Sequence, residues 1–387
     1  VEGGYLKKIE KHGSNILHLL KSCKNLVFLC LDISVDIAHL PVQLLGKLEQ
    51  LECHEVITEN QMKPILSLLN LKSLTISDAK QLTIKMLLQS KHLRLNKIAL
   101  FHSTLPVLIQ FTGFLQLKVL SLIRCNVTNT HCIAIAQIAS QLTKLTLGIM
   151  DLNSYNITII TSISQMPNLK LLNILYTNVV DFPTYDEKIF ENLEVLHCGP
   201  NTQCHHQILS QNKNLNELYI YKSVLDSSMF YTNTVKKLTL SHCTFNVTNS
   251  GIFTLGKMQY IKIIYCTALS GIQLIKSFHG IFLHTLIFFK CDDIPYEAVS
   301  NIANQLYSLT LKECKTTNAN LIMILKKCGK IWNIIELNLA KSEIDDSGIS
   351  KLMYIKIPRL RTLNIEDTKI SKRMRTEFKH SYPLLVC

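Results

Sequence analysis

The chain has 387 residues, 47% of them apolar, and a net charge of +13 from 41 Lys and Arg against 28 Asp and Glu. One compact core would be near its upper size limit at this length, whereas a stack of repeats has no such limit because each repeat touches only its neighbours. No apolar run reaches the roughly 18 residues of a membrane helix; the run at 281–289 is broken by His284.

Residues 1–25 hold Gly3-Gly4 and then Leu6, Ile9, Ile16, Leu17, Leu19 and Leu20. They predict one or two capping helices, or the helix of a partial earlier repeat. The chain opens on Val1 and not on Met, which we read as a fragment or processed chain. From Leu26 a single pattern recurs, L-x-x-L-x-L. Its first positions are Leu26, Leu48, Leu71, Leu95, Leu117, Leu142, Leu169, Leu193, Leu215, Val235, Met258, Leu283, Leu306, Ile334 and Leu360. These make about 15 repeats with a mean step of about 24 residues. The fourth and sixth positions are almost all Leu or Ile. Cys53, Cys198 and Phe288 are exceptions at the sixth, and each still suits a core. Residues 117–142 show the whole unit. Leu120 and Leu122 alternate as a strand, Cys125 and Val127 make a turn, and Ile133, Ala134, Ile138 and Ala139 follow at helical spacing.

The ninth position is small or hydroxylic, or it is Cys: Cys125, Cys243, Cys266, Cys291 and Cys314. Val56 and Met150 are misfits. A sulfur or oxygen in the bend after the strand can bond backbone groups that the turn leaves unpaired. Thr128-Asn129, Thr248-Asn249-Ser250-Gly251 and Asp345-Asp346-Ser347-Gly348 then precede apolar runs, an N-cap signal for helices. A strand, a bend and a helix returning to the next strand resemble a leucine-rich repeat. The resemblance implies an α/β solenoid, a horseshoe with a parallel sheet on the concave face and helices or 3-10 turns on the convex face. The organisation expected is 1–25 as a cap or partial repeat, 26–370 as the solenoid, and 371–387 as a C-terminal cap, with a short helix from Lys372.

The C-x-x-[IV]-[TD]-[DN]-x-G-[IL] run resembles the cysteine-containing repeats of F-box proteins, the substrate receptors of cullin–RING ubiquitin ligases. That likeness implies a protein target on the concave face and a cullin–RING adaptor docked through an F-box upstream of Val1. No F-box is visible in these residues. His39-Leu40-Pro41-Val42 imitates its Leu-Pro opening but lacks the acidic residue and lies inside a repeat. The alternative is the repeat domain of an intracellular immune sensor, or a scaffold outside the ligases.

Repeats from Leu71 to Leu193 read as regular. Asn153-Ser154-Tyr155-Asn156 reads as an insertion, and 181–188, with Pro183, as an irregular or 3-10 connection. Cys198, Cys204, His205 and His206 are dense enough to suggest zinc, but their spacing fits no known knuckle, so no metal is expected there. The 13 cysteines form no C-x-x-C and no terminal clusters, which points to a reducing compartment, cytoplasmic or nuclear. The sequons at Asn126, Asn156 and Asn246 read as coincidence in an Asn-rich chain. No nucleophile–base set or phosphate-cradling glycine loop stands out, so neither catalysis nor a cofactor is expected.

Function should then sit on the outward third, fifth and seventh positions of the strands, with the eighth at the edge. Fifteen strands about 4.8 Å apart would form a curved ribbon roughly 70 Å long. The candidate partner site is Tyr219, Tyr221, Lys222, Tyr260, Lys262, Ile264, Tyr265, Ile287, Phe289 and Lys290. Aromatics rimmed by lysine suit an interface, although strands also favour aromatics for their own sake. Glu52 and Glu55 are an acidic counterpoint. Lysines elsewhere scatter over many phases, which disfavours nucleic acid and favours an acidic protein partner.

Overall fold

The computed structural model describes residues 5–6, 25–31, 46–90, 93–148, 166–175, 191–199, 212–225, 234–245, 252–254, 258–269, 273–275, 283–328, 333–355 and 357–381. The expectations for 39–42, 153–156, 181–188 and 204–206, and for most of 1–25, lie outside these residues. The chain forms two compact units, Val1–Leu193 and Glu194–Cys387.

The N-terminal unit carries β1 (Tyr5–Leu6), β2 (Phe28–Leu31), β3 (Gln50–Val56), β4 (Ser73–Ser77), β5 (Lys97–Phe101), β6 (Val119–Ile123), β7 (Lys144–Gly148) and β8 (Leu171–Ile174). Each pairs in parallel with the next in chain order. Tyr5–Leu6 is a further strand ahead of the fifteen repeats counted from Leu26. Parallel neighbours need crossovers. Among the described residues these are α1 (Glu59–Leu66), α2 (Gln81–Gln89), α3 (Asn129–Ala136) and the irregular turns of 102–116.

The C-terminal unit repeats the scheme with β9 (Val195–Cys198), β10 (Glu217–Tyr221), a two-residue β11 (Val224–Leu225), β12 (Lys237–Ser241), β13 (Thr244–Phe245), β14 (Ile252–Thr254), β15 (Tyr260–Ile264), β16 (Gln273–Ile275), β17 (Thr285–Phe289), β18 (Ser308–Lys312), β19 (Glu336–Asn338) and β20 (Thr362–Asn364). Its main sheet runs β9-β10-β12-β15-β17-β18-β19-β20, all parallel. Among the described residues its α-helices are α4 (Tyr296–Ile302), α5 (Asn318–Cys328), α6 (Asp346–Ile355) and α7 (Lys372–Ser381).

The leucine ladder is the core. First, fourth and sixth positions are buried through both units, including Cys53, Cys198 and Phe288. In β4 the outward Ser73, Thr75 and Ser77 are buried as well, because small side chains are shaded by longer neighbours such as Gln50, Glu52 and Phe101.

The bend works as its residues suggest. Cys125 Sγ donates to Ile123 O and Leu100 O, at 3.6 and 3.5 Å. Cys291 donates to Phe289 O and Ile263 O, both at 3.5 Å. Ser223 Oγ donates to Tyr221 O and Gly199 O at 3.2 and 3.1 Å. One ninth-position side chain thus ties its own turn to the repeat before it. Val56 is a misfit because β3 bulges. The strand is seven residues long, and its register jumps from Cys53↔Ile76 to Val56↔Ser77.

A second backbone rule appears just before this bend. The eighth residue of ten repeats is left-handed: Asp78, His102, Arg124, Lys222, His242, Tyr265, Lys290, Glu313, Lys341 and Asp367, with φ between 49° and 55°. Its N–H donates to the next repeat's strand end, as in Tyr265 N to Phe289 O at 2.9 Å and Lys222 N to Ser241 O at 2.9 Å. The inter-strand bonding therefore continues one residue past the strand while the side chain swings onto the rim of the sheet.

Two expectations need correction. Residues 252–254 form a strand, paired with β16, and not the start of a helix. Ile-Phe-Thr is β-branched and aromatic, which favours an extended backbone over the N-cap signal ahead of it. The repeat beginning at Leu95 is less regular than its neighbours. It has no helix, and 102–116 run as turns around Pro106 and Gly113, with Phe111 and Phe114 filling the core that a helix would fill.

Candidate functional site

Strand register fixes the outward rows of the C-terminal unit. The third-position row is Glu217, Lys237, Tyr260 and Thr285. The fifth is Tyr219, Thr239, Lys262 and Ile287. The seventh is Tyr221, Ser241, Ile264 and Phe289, ending on Lys312. The left-handed eighth residues add Lys222, His242, Tyr265, Lys290, Glu313 and Lys341 beside the seventh row.

These last two rows interlock into one ridge. Tyr221 meets His242 edge-on at 5.4 Å between ring centres. His242 stacks on Tyr265 at 4.7 Å and 22°. Tyr265 meets Phe289 edge-on at 5.7 Å. Cations line the rings: Lys222 Nζ is 5.4 Å from Tyr221, Lys290 Nζ is 5.1 Å from Tyr265, and Lys312 Nζ is 5.8 Å from Phe289. Lys290 also donates to Tyr265 Oη at 3.0 Å and pairs with Glu313 at 3.3 Å. Lys341 reaches Glu313 from the other side at 3.3 Å.

The electrostatics follow from these contacts. The bond to Tyr265, and then Glu313, pushes the Lys290 pKa up. Partial desolvation pulls Glu313 upward, but its bonds to Lys341 and Lys290 outweigh it and hold the carboxyl below its ordinary value. Four lysines face one carboxylate along the ridge (Lys222, Lys290, Lys312 and Lys341 against Glu313), so its field is positive. Tyr265 remains 40% exposed.

Of the residues expected from sequence, Tyr221, Lys222, Tyr265, Phe289 and Lys290 come together here, with Ile264 between them in the seventh row. Tyr219, Tyr260, Lys262 and Ile287 lie half-buried in the third and fifth rows. Tyr219 packs on His197 at 5.6 Å. Burial lowers the His197 pKa although Glu217 stands 3.8 Å away. Burial, and then Glu217, raises that of Tyr260. His242, Lys312, Glu313 and Lys341 were missed. His242 is the joint of the ridge, and its common signal with Tyr265 and Lys290 is the eighth position.

Along the ridge Ser241 Oγ lies 2.9 Å from His242 Nδ1, but Ser241 is buried, and the thiols beneath the ridge are not alike. Burial pushes Cys314 up to about 12 and raises Cys291, whereas the hydrogen bond between Cys243 and Cys266 lowers the Cys243 pKa and raises that of Cys266. Among the described residues, the chemistry-bearing group off the ridge is the trio Cys30, Glu52 and His54 in the N-terminal unit.

No family model matches the sequence, and no curated protein does so. Solved structures do. A Leptospira interrogans leucine-rich-repeat protein is 15% identical, with a TM-score of 0.51 over 98% of this chain and 99% of its own. An internalin from Listeria monocytogenes is 15% identical, with a TM-score of 0.50 over 89% of this chain and 87% of its own. The receptor in a TLR13–ssRNA13 complex is 17% identical, with a TM-score of 0.54; 89% of this chain covers 51% of it. The chain thus has the fold of the leucine-rich-repeat solenoids, and at these identities the likeness extends to the fold.

Proposed function

We propose that this chain is a protein-binding repeat domain whose sheet face and rim in the C-terminal unit grip an acidic segment of a partner. The supporting observation is the ridge Tyr221–His242–Tyr265–Phe289, rimmed by lysines in excess of carboxylate. Its rings lie on the outer side of the strands and fill no core. Large, rigid aromatics lose little entropy on binding, and a positive field speeds the approach of an acidic partner. The finer reading is a substrate receptor of the F-box type. The cysteine bends and the Asp345–Gly348 turn support it, being the features that carried the resemblance. The receptor would act by holding a target lysine near the charged ubiquitin carrier, a contribution of proximity alone. A cytoplasmic or nuclear setting belongs to this reading, and the reduced thiols of the ladder cysteines Cys125, Cys243, Cys266, Cys291 and Cys314 agree with it.

The test is capture of identified partners by the full chain and by a Tyr221→Ala/Phe289→Ala variant. We expect at least a tenfold loss of retention in the variant, retention that weakens with salt, and no change in thermal midpoint. Unchanged retention contradicts the site. Retention of nucleic acid in place of protein contradicts the partner class. Recovery of the cullin adaptor with the longer natural chain separates the ligase reading from a sensor or scaffold.

A further inference from the structure

We infer that Cys30, Glu52 and His54 form a surface site for a zinc-class divalent metal in the N-terminal unit, independent of the ridge. Their ligating atoms all lie within 4.8 Å of one another. Three separate features produce this grouping.

The first is strand register. Cys30 is the fifth residue of its repeat and stands opposite Glu52, the fifth of the next. Both side chains therefore leave the sheet on its outward face, one strand spacing apart. The second is the bulge in β3. The extra residues His54 and Glu55 sit where the register slips between Cys53 and Val56. Bulges re-aim side chains, and this one leaves His54 Nε2 3.8 Å from Glu52 Oε2. The third is the partial exposure of the thiol. Of the nine cysteines whose side-chain burial is described, eight are buried and Cys30 is half-buried. The sulfurs of Cys125 and Cys291 serve bends, and Cys53 points into the core.

The donor set selects the metal. One thiolate, one imidazole and one carboxylate suit zinc, whereas calcium and magnesium take oxygen alone. Bond lengths to zinc of about 2.0–2.3 Å imply donor separations of roughly 3.3–3.7 Å in a tetrahedron. The present spread closes to that with side-chain shifts on the order of 1 Å. Glu52 and His54 are partly exposed, so a fourth position faces solvent and takes water. Binding releases the thiol proton to solvent as the sulfur–metal bond forms, and no electron is transferred.

The test uses the full chain, reduced and stripped with a chelator, then titrated with Co2+ as a coloured probe and with Zn2+ in competition. We expect one equivalent bound with thiolate-to-cobalt charge-transfer absorption. Cys30→Ser should abolish that band. His54→Ala should weaken binding at least about tenfold, since even outer partners of a ligand cost about 10–100-fold. Glu52→Gln, nearly the same shape, should weaken it while leaving the circular dichroism unchanged. Absence of stoichiometric binding overturns the site. So does a Cys30→Ser chain that keeps band and affinity, which would place the metal on another thiol.

Discussion

At the scale of single residues, the turn after each strand decides how the chain folds. The ninth position was legible because its requirement is chemical: small, with a hydrogen to give. The eighth was not, because its requirement is a backbone angle, and Asp, His, Arg, Lys, Tyr and Glu all meet it. The available clue was negative. None of the ten left-handed residues is Val, Ile or Thr, the side chains that tolerate this region least. One buried side chain outside the ladder is equally specific. His131 Nδ1 accepts from Thr128 N at 2.8 Å, so its Nε2–H gives to Pro106 O, also at 2.8 Å. It caps α3 and ties that helix to the irregular turn before it. His131→Ala should cost about 1–3 kcal/mol, measured by urea unfolding; a loss under about 0.5 kcal/mol, the size of an ordinary surface change, would contradict the role. The thiols predict a pH effect. Burial raises Cys53, Cys132 and Cys314 from 9.0 to about 12, Cys125 to about 11, and Tyr296 from 10.0 to about 12. A folded value above the unfolded one means the fold prefers the protonated group. That contribution is complete below pH 9 and disappears as pH climbs towards 12. The urea midpoint should therefore fall between those limits, and fall less in Cys314→Ser. A flat midpoint contradicts the assignment.

At the scale of elements, adjacent repeats are clamped by side chains that reach back one turn of the stack. Asn70 donates to Gly46 O, Gln141 to Phe114 O, Asn192 to Pro167 O and Asn333 to Asn304 O. Each stands immediately before a first-position residue, so this column could have been read beside the leucines. Between α5 and α6 the clamp is tighter. Asn318 Nδ2 donates to Asp345 Oδ1 at 2.6 Å and to Ser347 Oγ at 2.8 Å, and its Oδ1 accepts from Asp345 N at 3.2 Å. The bond from Asn318, and then that from Ser347 N–H, holds the Asp345 carboxyl below its usual range. Gly348 is part of the turn signature for a steric reason. A Cβ there would collide with Asn318 Oδ1 and crowd Ile344. Gly348→Ala should destabilise by about 1–3 kcal/mol by overpacking. An Asn318→Ala background should return much of that loss; if it does not, the collision is not the cause. Where such devices were weighed against a neighbouring propensity, sequence reasoning slipped. The cap signal before Ile252 was outvoted by an Ile-Phe-Thr strand, and Pro106 removed a helix that the spacing alone allowed.

At the scale of the whole molecule, the ladder made the fold legible because it repeats, and errors in one repeat are corrected by the next. The site repeats nothing. Tyr221, Tyr265 and Phe289 were visible as outward aromatics, but the contact that joins them passes through His242, a residue type with no special claim on a sheet edge. The charge of +13 is equally diffuse in sequence and becomes directional only where lysines meet the ridge. The proposed site is therefore a matter of place: of all the lysines, those beside these rings are the ones proposed to meet the partner. Lysine-reactivity footprinting of the full chain, free and bound to a captured partner, tests it most directly. We predict protection of Lys222, Lys290, Lys312 and Lys341 on binding, with Lys63, Lys85, Lys326 and Lys327 on the helices unchanged. Protection of the helical lysines with the ridge left reactive would contradict it.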